Sequence, residues 1–270
     1  TFLRTLNVSG VSAEEPAPTS RAFGQGPTTR INQVSMIVDE AGDRFGLTMV
    51  DTPGFVDDGT VEEQCRLLLT YLENQFDARL IEESRVKRNP KALHRQLHAC
   101  LYFLDPSHAG LRPVDVIVIR NLSVRVNVIP VVAKADTLTI ERMRRVKRAI
   151  REDIRTHRLR IYSFPDWEEE DDYESSEEGQ SLPAQLSSTA LRRLVPFSIM
   201  AMEEETLINE DEEPSDLFIG RRYPWGNILV MNPDHCDVSV LRTALLDTQR
   251  RVLRDTTVED IYERYRTERM

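Results

Sequence analysis

Val126-Asn127-Val128-Ile129-Pro130-Val131-Val132-Ala133, running on into Lys134-Ala135-Asp136-Thr137-Leu138, is the stretch on which the fold turns. An apolar, Val-rich run such as Val126 to Ala133 predicts a strand buried on both faces, the kind found in parallel sheets covered by helices. Upstream, Ala99-Cys100-Leu101-Tyr102-Phe103-Leu104 is a second such run, ending at Asp105-Pro106, and Pro113 to Val124 suits a helix between the two. Downstream, Thr139 can cap a helix with Glu141 in its first turn. Met143, Val146, Ile150 and Ile154 form the inner face of that helix, and Arg142, Arg144, Arg145, Arg148 and Arg151 its outer face. Strand, helix, strand, helix in this order predicts an α/β fold with a mainly parallel central sheet.

Working outward, Phe2, Leu3 and Leu6 suit one face of an opening helix, and Val8 to Thr29 reads as a long loop. Val34–Val38 and Phe45–Val50 look like adjacent strands joined at Glu40-Ala41-Gly42-Asp43, the second read as buried. After Asp51-Thr52-Pro53-Gly54, the spacing of Cys65, Leu68, Leu72, Phe76 and Leu80 predicts an amphipathic helix. Ser84 to Pro90 is basic and breaks that pattern. Asp166 to Ser181 is an acidic, low-complexity loop. Val195 to Ile199 reads as a last core strand, Ile219 to Asn227 as a hairpin tip, and Ile228 to Met231 as a returning strand. Leu241, Leu245, Thr248 and Val252 mark a terminal helix.

A chain of 270 residues with 40% hydrophobic content can bury a substantial core. Its net charge of −10 is local: eight carboxylates between Glu168 and Glu178 leave the remainder at only −2. The charge therefore says little about partners, and nothing suggests nucleic acid. Cys65, Cys100 and Cys236 lack metal or redox spacing, which fits a reduced intracellular protein, with Cys65 and Cys100 as core residues. The five histidines show no metal-ligand spacing. No apolar run approaches the roughly 20 residues of a spanning helix.

Two strand ends carry chemistry. Asp51, followed by Thr-Pro-Gly, can hold the water shell of Mg²⁺, and the Gly54 N–H can meet a terminal phosphate. Alone, that pattern is common in turns. Asp136 sharpens it, because Lys134-Ala135-Asp136 resembles the [NTA]-K-x-D signature of GTP-binding proteins. A carboxylate there accepts from guanine N1–H and the exocyclic amino group, which adenine cannot match. Lys134 can lay its aliphatic stem over the ring. The plainer alternative is a salt-bridged Lys/Asp pair at a strand end.

The resemblance narrows further. Tyr102-Phe103-Leu104-Asp105-Pro106 with Gly110-Leu111-Arg112-Pro113-Val114-Asp115, the Val126–Thr139 stretch, and Arg221-Arg222-Tyr223-Pro224-Trp225-Gly226 are similar to the septins over almost the whole chain. That resemblance implies a P-loop GTPase-type three-layer domain spanning 1–270, with a core at 1–205 and the septin unique element and terminal helix at 206–270. It implies GTP or GDP with Mg²⁺, slow hydrolysis, and filaments built from itself or other septins, one interface crossing the nucleotide pocket. It also implies a cytoplasmic, cytoskeletal protein, with anionic membrane lipids as partners of segments outside this stretch. The G-x-x-x-x-G-K-[ST] phosphate loop is absent, and in the family residues like Thr1-Phe2-Leu3 follow it directly. Thr1 is accordingly expected beside the nucleotide. Septins usually have Gly where Val56 stands and a Gly-containing loop at Ile199–Met202, which places Ala201 at the last base contact.

By the same resemblance Thr28, with Thr29 a close second, is the switch threonine touching Mg²⁺ and water. Phe55 occupies the place where many GTPases carry a water-orienting glutamine, so hydrolysis should be slow or use another group. Arg112 is a candidate for an arginine acting in a neighbouring subunit, against the plainer reading of a surface residue. Arg221 is expected against the base, and Tyr223 and Trp225 as core, interface or ligand contacts. Two readings follow: a working GTPase completed by a partner, or a structural GTP-binding subunit whose nucleotide rarely turns over. A translation-type GTPase is a weaker third, opposed by Tyr223-Pro224-Trp225-Gly226.

Overall fold

The six residues of β4, Asn127–Val132, are all buried. This follows from their position between β3 (Ala99–Leu104) and β5 (Phe197–Ser198), both parallel to β4. Alternate side chains leave on opposite faces. Val128 and Val132 enter one apolar cluster with Tyr102 and Leu104, and Ile129 and Val131 enter a second with Phe197, Met200 and Leu241. Two cores, one per face, keep Val128 to Val132 apolar, and the one polar member, Asn127, is buried at the strand's start with its amide donating to His98 O at 2.9 Å and to Thr257 Oγ1 at 3.1 Å. The computed structural model describes residues 31–40, 43–55, 60–87, 95–165, 187–202 and 220–270. The helix expected from Phe2 to Leu6, the loop Val8–Thr29, Thr1, Thr28, Val56 and the acidic stretch lie outside the described residues.

β1 (Asn32–Glu40) and β2 (Asp43–Asp51) pair antiparallel, Asn32 opposite Asp51. Phe45–Val50 was expected to be a buried strand, yet only Met49 of it is buried and its exposure alternates. Paired with β1 alone among the described residues, the strand turns one face to solvent, as antiparallel hairpins do. Helix α1 (Val61–Glu83) packs Val61, Cys65, Leu72 and Phe76 inward, on the expected spacing.

Helix α2 (Pro113–Leu122) makes the crossover from β3 to β4, with Pro113 at its first turn where a missing N–H costs nothing. Helix α3 (Ile140–Thr156) begins at Thr139, whose hydroxyl accepts from Arg142 N at 3.4 Å. Val146, Ile150 and Ile154 are its buried face. Arg142, Arg144, Arg145 and Arg148 are exposed as expected, but Arg151 is not on the outer face. Its guanidinium donates to the carbonyls of Val195 (2.7 Å) and Arg193 (2.5 Å), bracing the end of α4 (Ser188–Leu194).

β6 (Gly220–Tyr223) and β7 (Gly226–Leu229) form a hairpin whose turn is only Pro224-Trp225, tighter than the expected tip. Gly226 closes it at φ 150°, a region side chains rarely adopt. The terminal run consists of α5 (Val238–Thr243), α6 (Arg250–Thr256) and α7 (Glu263–Arg269), joined by wider π turns at Ala244–Thr248 and Thr257–Tyr262. Each π turn shifts the face, so a continuous 3.6-residue reading drifts out of phase. Leu245, Thr248 and Val252 are only half-buried, and Ala244, Leu246, Gln249, Leu253, Thr257, Ile261 and Tyr265 point inward instead.

Candidate functional site

The turn after β4 is held from both sides. Ala133 N donates to Leu104 O at 3.0 Å, and Ala135 N to Ile199 O at 3.0 Å, so the carboxyl ends of β3 and β5 fix it. Lys134 sits left-handed at φ 51°, ψ 46°, an uncommon conformation for a residue with a Cβ. Thr137 locks that bend by donating its hydroxyl to Lys134 O at 2.8 Å. The bend turns Lys134 outward, where it is exposed, and turns Asp136 inward, where its side chain is 1% exposed.

The Asp136 carboxylate has two unlike oxygens. Oδ2 accepts from Arg221 Nη1 at 2.8 Å and from the Tyr223 hydroxyl. Oδ1 is buried and has no hydrogen-bond partner among the described residues. A buried acceptor left empty is costly, commonly about 1–3 kcal/mol, and is unusual enough to call for an explanation. Arg221 Nε also donates to Ala201 O at 2.9 Å. Arg221 and Tyr223 lie two residues apart on β6 and therefore share a face. Asp136, Ala201 and Arg221 are thus brought together, with the backbone of Lys134 in the same turn.

Tyr223, expected as a core, interface or ligand contact, is a donor to the Asp136 carboxylate. The i, i+2 relation to Arg221 was the available signal for its role at Asp136. Burial and the neighbouring carboxylate raise its phenol above the usual tyrosine range, so it remains a donor.

Asp51 closes β2, and Thr52 to Phe55 follow as an extended turn. Gly54 is exposed, and a Cβ there would meet no protein atom within 4 Å. The Phe55 ring lies 6.2 Å from Tyr102 and packs against the first cluster, anchoring the turn beside β3. Asp105, at the exit of β3, accepts from Ser107 N at 2.8 Å. The Ser107 hydroxyl and N–H hold its carboxyl below the usual range, aided by the charge of Lys134. Arg112 is engaged in its own chain: Nε and Nη2 donate to Asp115 Oδ2 and Oδ1 at 3.1 and 2.9 Å. Asp115 is 2% exposed and accepts as well from the Tyr102 hydroxyl at 2.8 Å.

The donor chemistry fits the groups expected from the sequence. An orphaned, buried carboxylate oxygen suits one N–H donor of a guanine edge. A carboxylate at Asp51 suits a hard cation such as Mg²⁺. Thr1 and Thr28, expected at the phosphates and the metal, lie outside the described residues.

A family model described as Septin matches residues 1–270. Septin-4 of Macaca fascicularis is 37% identical over 241 residues, 89% of this chain and 47% of that protein. The septin homolog spn3 of Schizosaccharomyces pombe is 38% identical over 234 residues, 87% of this chain and 59% of that protein. Cell division control protein 11 of Saccharomyces cerevisiae is 38% identical over 233 residues, 85% of this chain and 52% of that protein. The chain spans about half the length of these curated relatives. The crystal structure of Cdc11 from Saccharomyces cerevisiae matches with a TM-score of 0.59 at 30% identity, covering 88% of this chain and 89% of that one.

Proposed function

This chain belongs to the septin family, and from that premise we propose that it binds guanine nucleotide at Asp136, hydrolyses GTP slowly, and assembles with copies of itself or other septins across the nucleotide face. The observation that carries the reading is the buried Asp136 carboxylate with one oxygen unpartnered among the described residues. Its two oxygens match the two parallel N–H donors of guanine, and Lys134 lies outward where its stem can cover the ring. Arg221, tethered to Ala201 O, borders the same carboxylate.

Mg²⁺, when bound, would neutralise phosphate charge and be held through Asp51 and Thr28. Gly54 N–H would report the terminal phosphate. Phe55 is a packing residue beside Tyr102 and has no group with which to orient water. That observation favours the second reading as well, a structural nucleotide-binding subunit with negligible turnover. Arg112 would have to leave Asp115 to act on a neighbour's nucleotide, and we infer that its first task is to hold the start of α2.

Replacing Asp136 with Asn tests the base assignment. GDP binding should weaken and xanthosine diphosphate binding should strengthen, because the side-chain amide donates to a 2-oxo group. Equal affinities for the two in both proteins would refute it. Single-turnover hydrolysis across protein concentration separates the two functional readings. A rate that climbs with association supports completion by a partner, and no turnover at any concentration leaves the structural reading.

A further inference from the structure

We propose that Tyr223 is a displaceable stand-in for the base: its hydroxyl holds the place on Asp136 that the guanine 2-amino group takes, and its departure is reported at Trp225. The inference rests on the guanine reading of Asp136. An ionised carboxylate offers about four lone-pair positions on its two oxygens. Oδ2 already accepts from Arg221 Nη1 and from the Tyr223 hydroxyl, while Oδ1 has no partner among the described residues. A guanine edge presents two donors side by side and needs one place on each oxygen. Oδ1, without a partner among the described residues, is the place for the first. The second requires that one donor leave Oδ2.

Of the two, Tyr223 is the one that can go. The Arg221 pair is charge-assisted, and its guanidinium is tethered a second time through Nε to Ala201 O at 2.9 Å. The tyrosine's bond to the carboxylate is also charge-assisted, but its hydroxyl has no tether to a backbone carbonyl like that of Arg221, and it sits on a half-buried side chain at the open end of β6. Its ring stacks on Trp225, with centroids 4.7 Å apart and planes 9° from parallel. Trp225 is 76% exposed at the hairpin tip and is carried by the two-residue turn that Tyr223 and Gly226 close. A tyrosine that swings away from Asp136 therefore disturbs the stacked indole directly. Guanine occupancy would thus be written onto an exposed aromatic surface some residues away from the base itself.

The base analogue that lacks the 2-amino group makes the test selective. In a Trp167→Phe background, Trp225 is the sole tryptophan of the chain. GDP and inosine diphosphate are each titrated while Trp225 emission and acrylamide quenching are followed, with retention measured in parallel by equilibrium dialysis. GDP should shift the Trp225 signal and inosine diphosphate should leave it unchanged. Tyr223→Phe, which keeps the stack and removes the competing hydroxyl, should tighten GDP binding roughly three- to tenfold and leave inosine diphosphate binding unaltered. The proposal is overturned if GDP is retained but moves Trp225 no more than inosine diphosphate does. It is overturned equally if Tyr223→Phe binds GDP no better than the parent. Failure of both proteins to retain GDP overturns the guanine reading itself, and the proposal with it.

Discussion

The Lys147 ammonium donates to Asp237 Oδ2 at 2.7 Å, joining α3 to the start of α5 across 90 residues of sequence. The same oxygen accepts from Ser198 N at 2.7 Å and from the Ser198 hydroxyl at 2.6 Å, so β5 is tied into the pair. Both side chains are 13% exposed. Removing Asp237 leaves a buried ammonium with only the Leu194 carbonyl at 3.4 Å and strands both Ser198 donors, whereas removing Lys147 leaves the carboxylate still satisfied by Ser198. Asp237→Ala should therefore lower unfolding free energy by about 3–5 kcal/mol, and Lys147→Met by distinctly less. Urea denaturation of the two variants checks the ranking, and the reverse order would contradict it.

A similar asymmetry holds at the start of α2. Asp115→Ala strands the Tyr102 hydroxyl and both arms of Arg112, and should cost roughly 3–5 kcal/mol. Arg112→Ala leaves Asp115 with the Tyr102 hydroxyl and Arg112 N–H, and should cost about 1–2 kcal/mol. Single-turnover GTP hydrolysis by Arg112→Ala should stay close to that of the parent. A tenfold or greater loss of rate at unchanged stability would instead assign Arg112 to the transition state.

The terminal run is fastened to α1 by Phe76, whose ring lies 5.8 Å from Tyr262 and 5.3 Å from Tyr265. The Tyr262 hydroxyl donates to Glu83 at 2.6 Å, and Arg79 lies over the Tyr262 ring at 4.4 Å. Phe76→Ala should cost about 3–5 kcal/mol and expose α7 amides to hydrogen exchange before those of β4. Tyr262→Phe, which keeps the ring, should cost only about 1 kcal/mol. Simultaneous loss of protection in α7 and β4 would mean that α7 is not a separable unit.

Lys134 adopts φ 51°, a conformation that costs a side-chain-bearing residue about 1–2 kcal/mol. Lys134→Gly relieves that strain but frees the unfolded chain, so thermal stability should hold or rise by up to about 1 kcal/mol. GDP affinity should fall, because the aliphatic stem over the base is gone. A destabilised variant with unchanged affinity would mean that the residue serves the turn and not the ligand.

His98 titrates below the ordinary histidine value because burial, and then the charge of Arg254, disfavour its imidazolium. The unfolded chain thus binds a proton that the native chain refuses. Its contribution should be complete above the unfolded value near 6.5 and decline as pH falls from there toward the lowered native value. Denaturation midpoints between pH 7.5 and 5 should show this slope, and His98→Gln should flatten it. An unchanged slope would place the acid sensitivity elsewhere.

The readable part of the fold lay where one physical signal dominated. Asn127–Val132 must be flanked on both faces, since six buried residues in sequence leave no solvent side. The capped start of α3 and its Val146, Ile150, Ile154 face followed from the helical period alone. Phe45–Val50 was misjudged because composition does not say whether a strand has a neighbour on each side. The terminal helix drifted because π turns leave no local signature in hydrophobic spacing. Arg151 looked like part of a solvated arginine face until the Val195 and Arg193 carbonyls came within reach.

For the site, sequence by itself determined the residue types and their strand-end positions: Asp51 with Gly54, and Lys134 with Asp136. It also determined the family, because the Arg221–Gly226 block is distinctive in its residues. Only the tertiary structure decided that Asp136 has one oxygen shared by Arg221 and Tyr223 and another left buried without a partner among the described residues. The reason is physical. A side chain's type is written locally, but the donors that reach it come from a hairpin more than eighty residues away, at |i−j| of 85 and 87. Which of its lone pairs they leave open depends on how that hairpin packs.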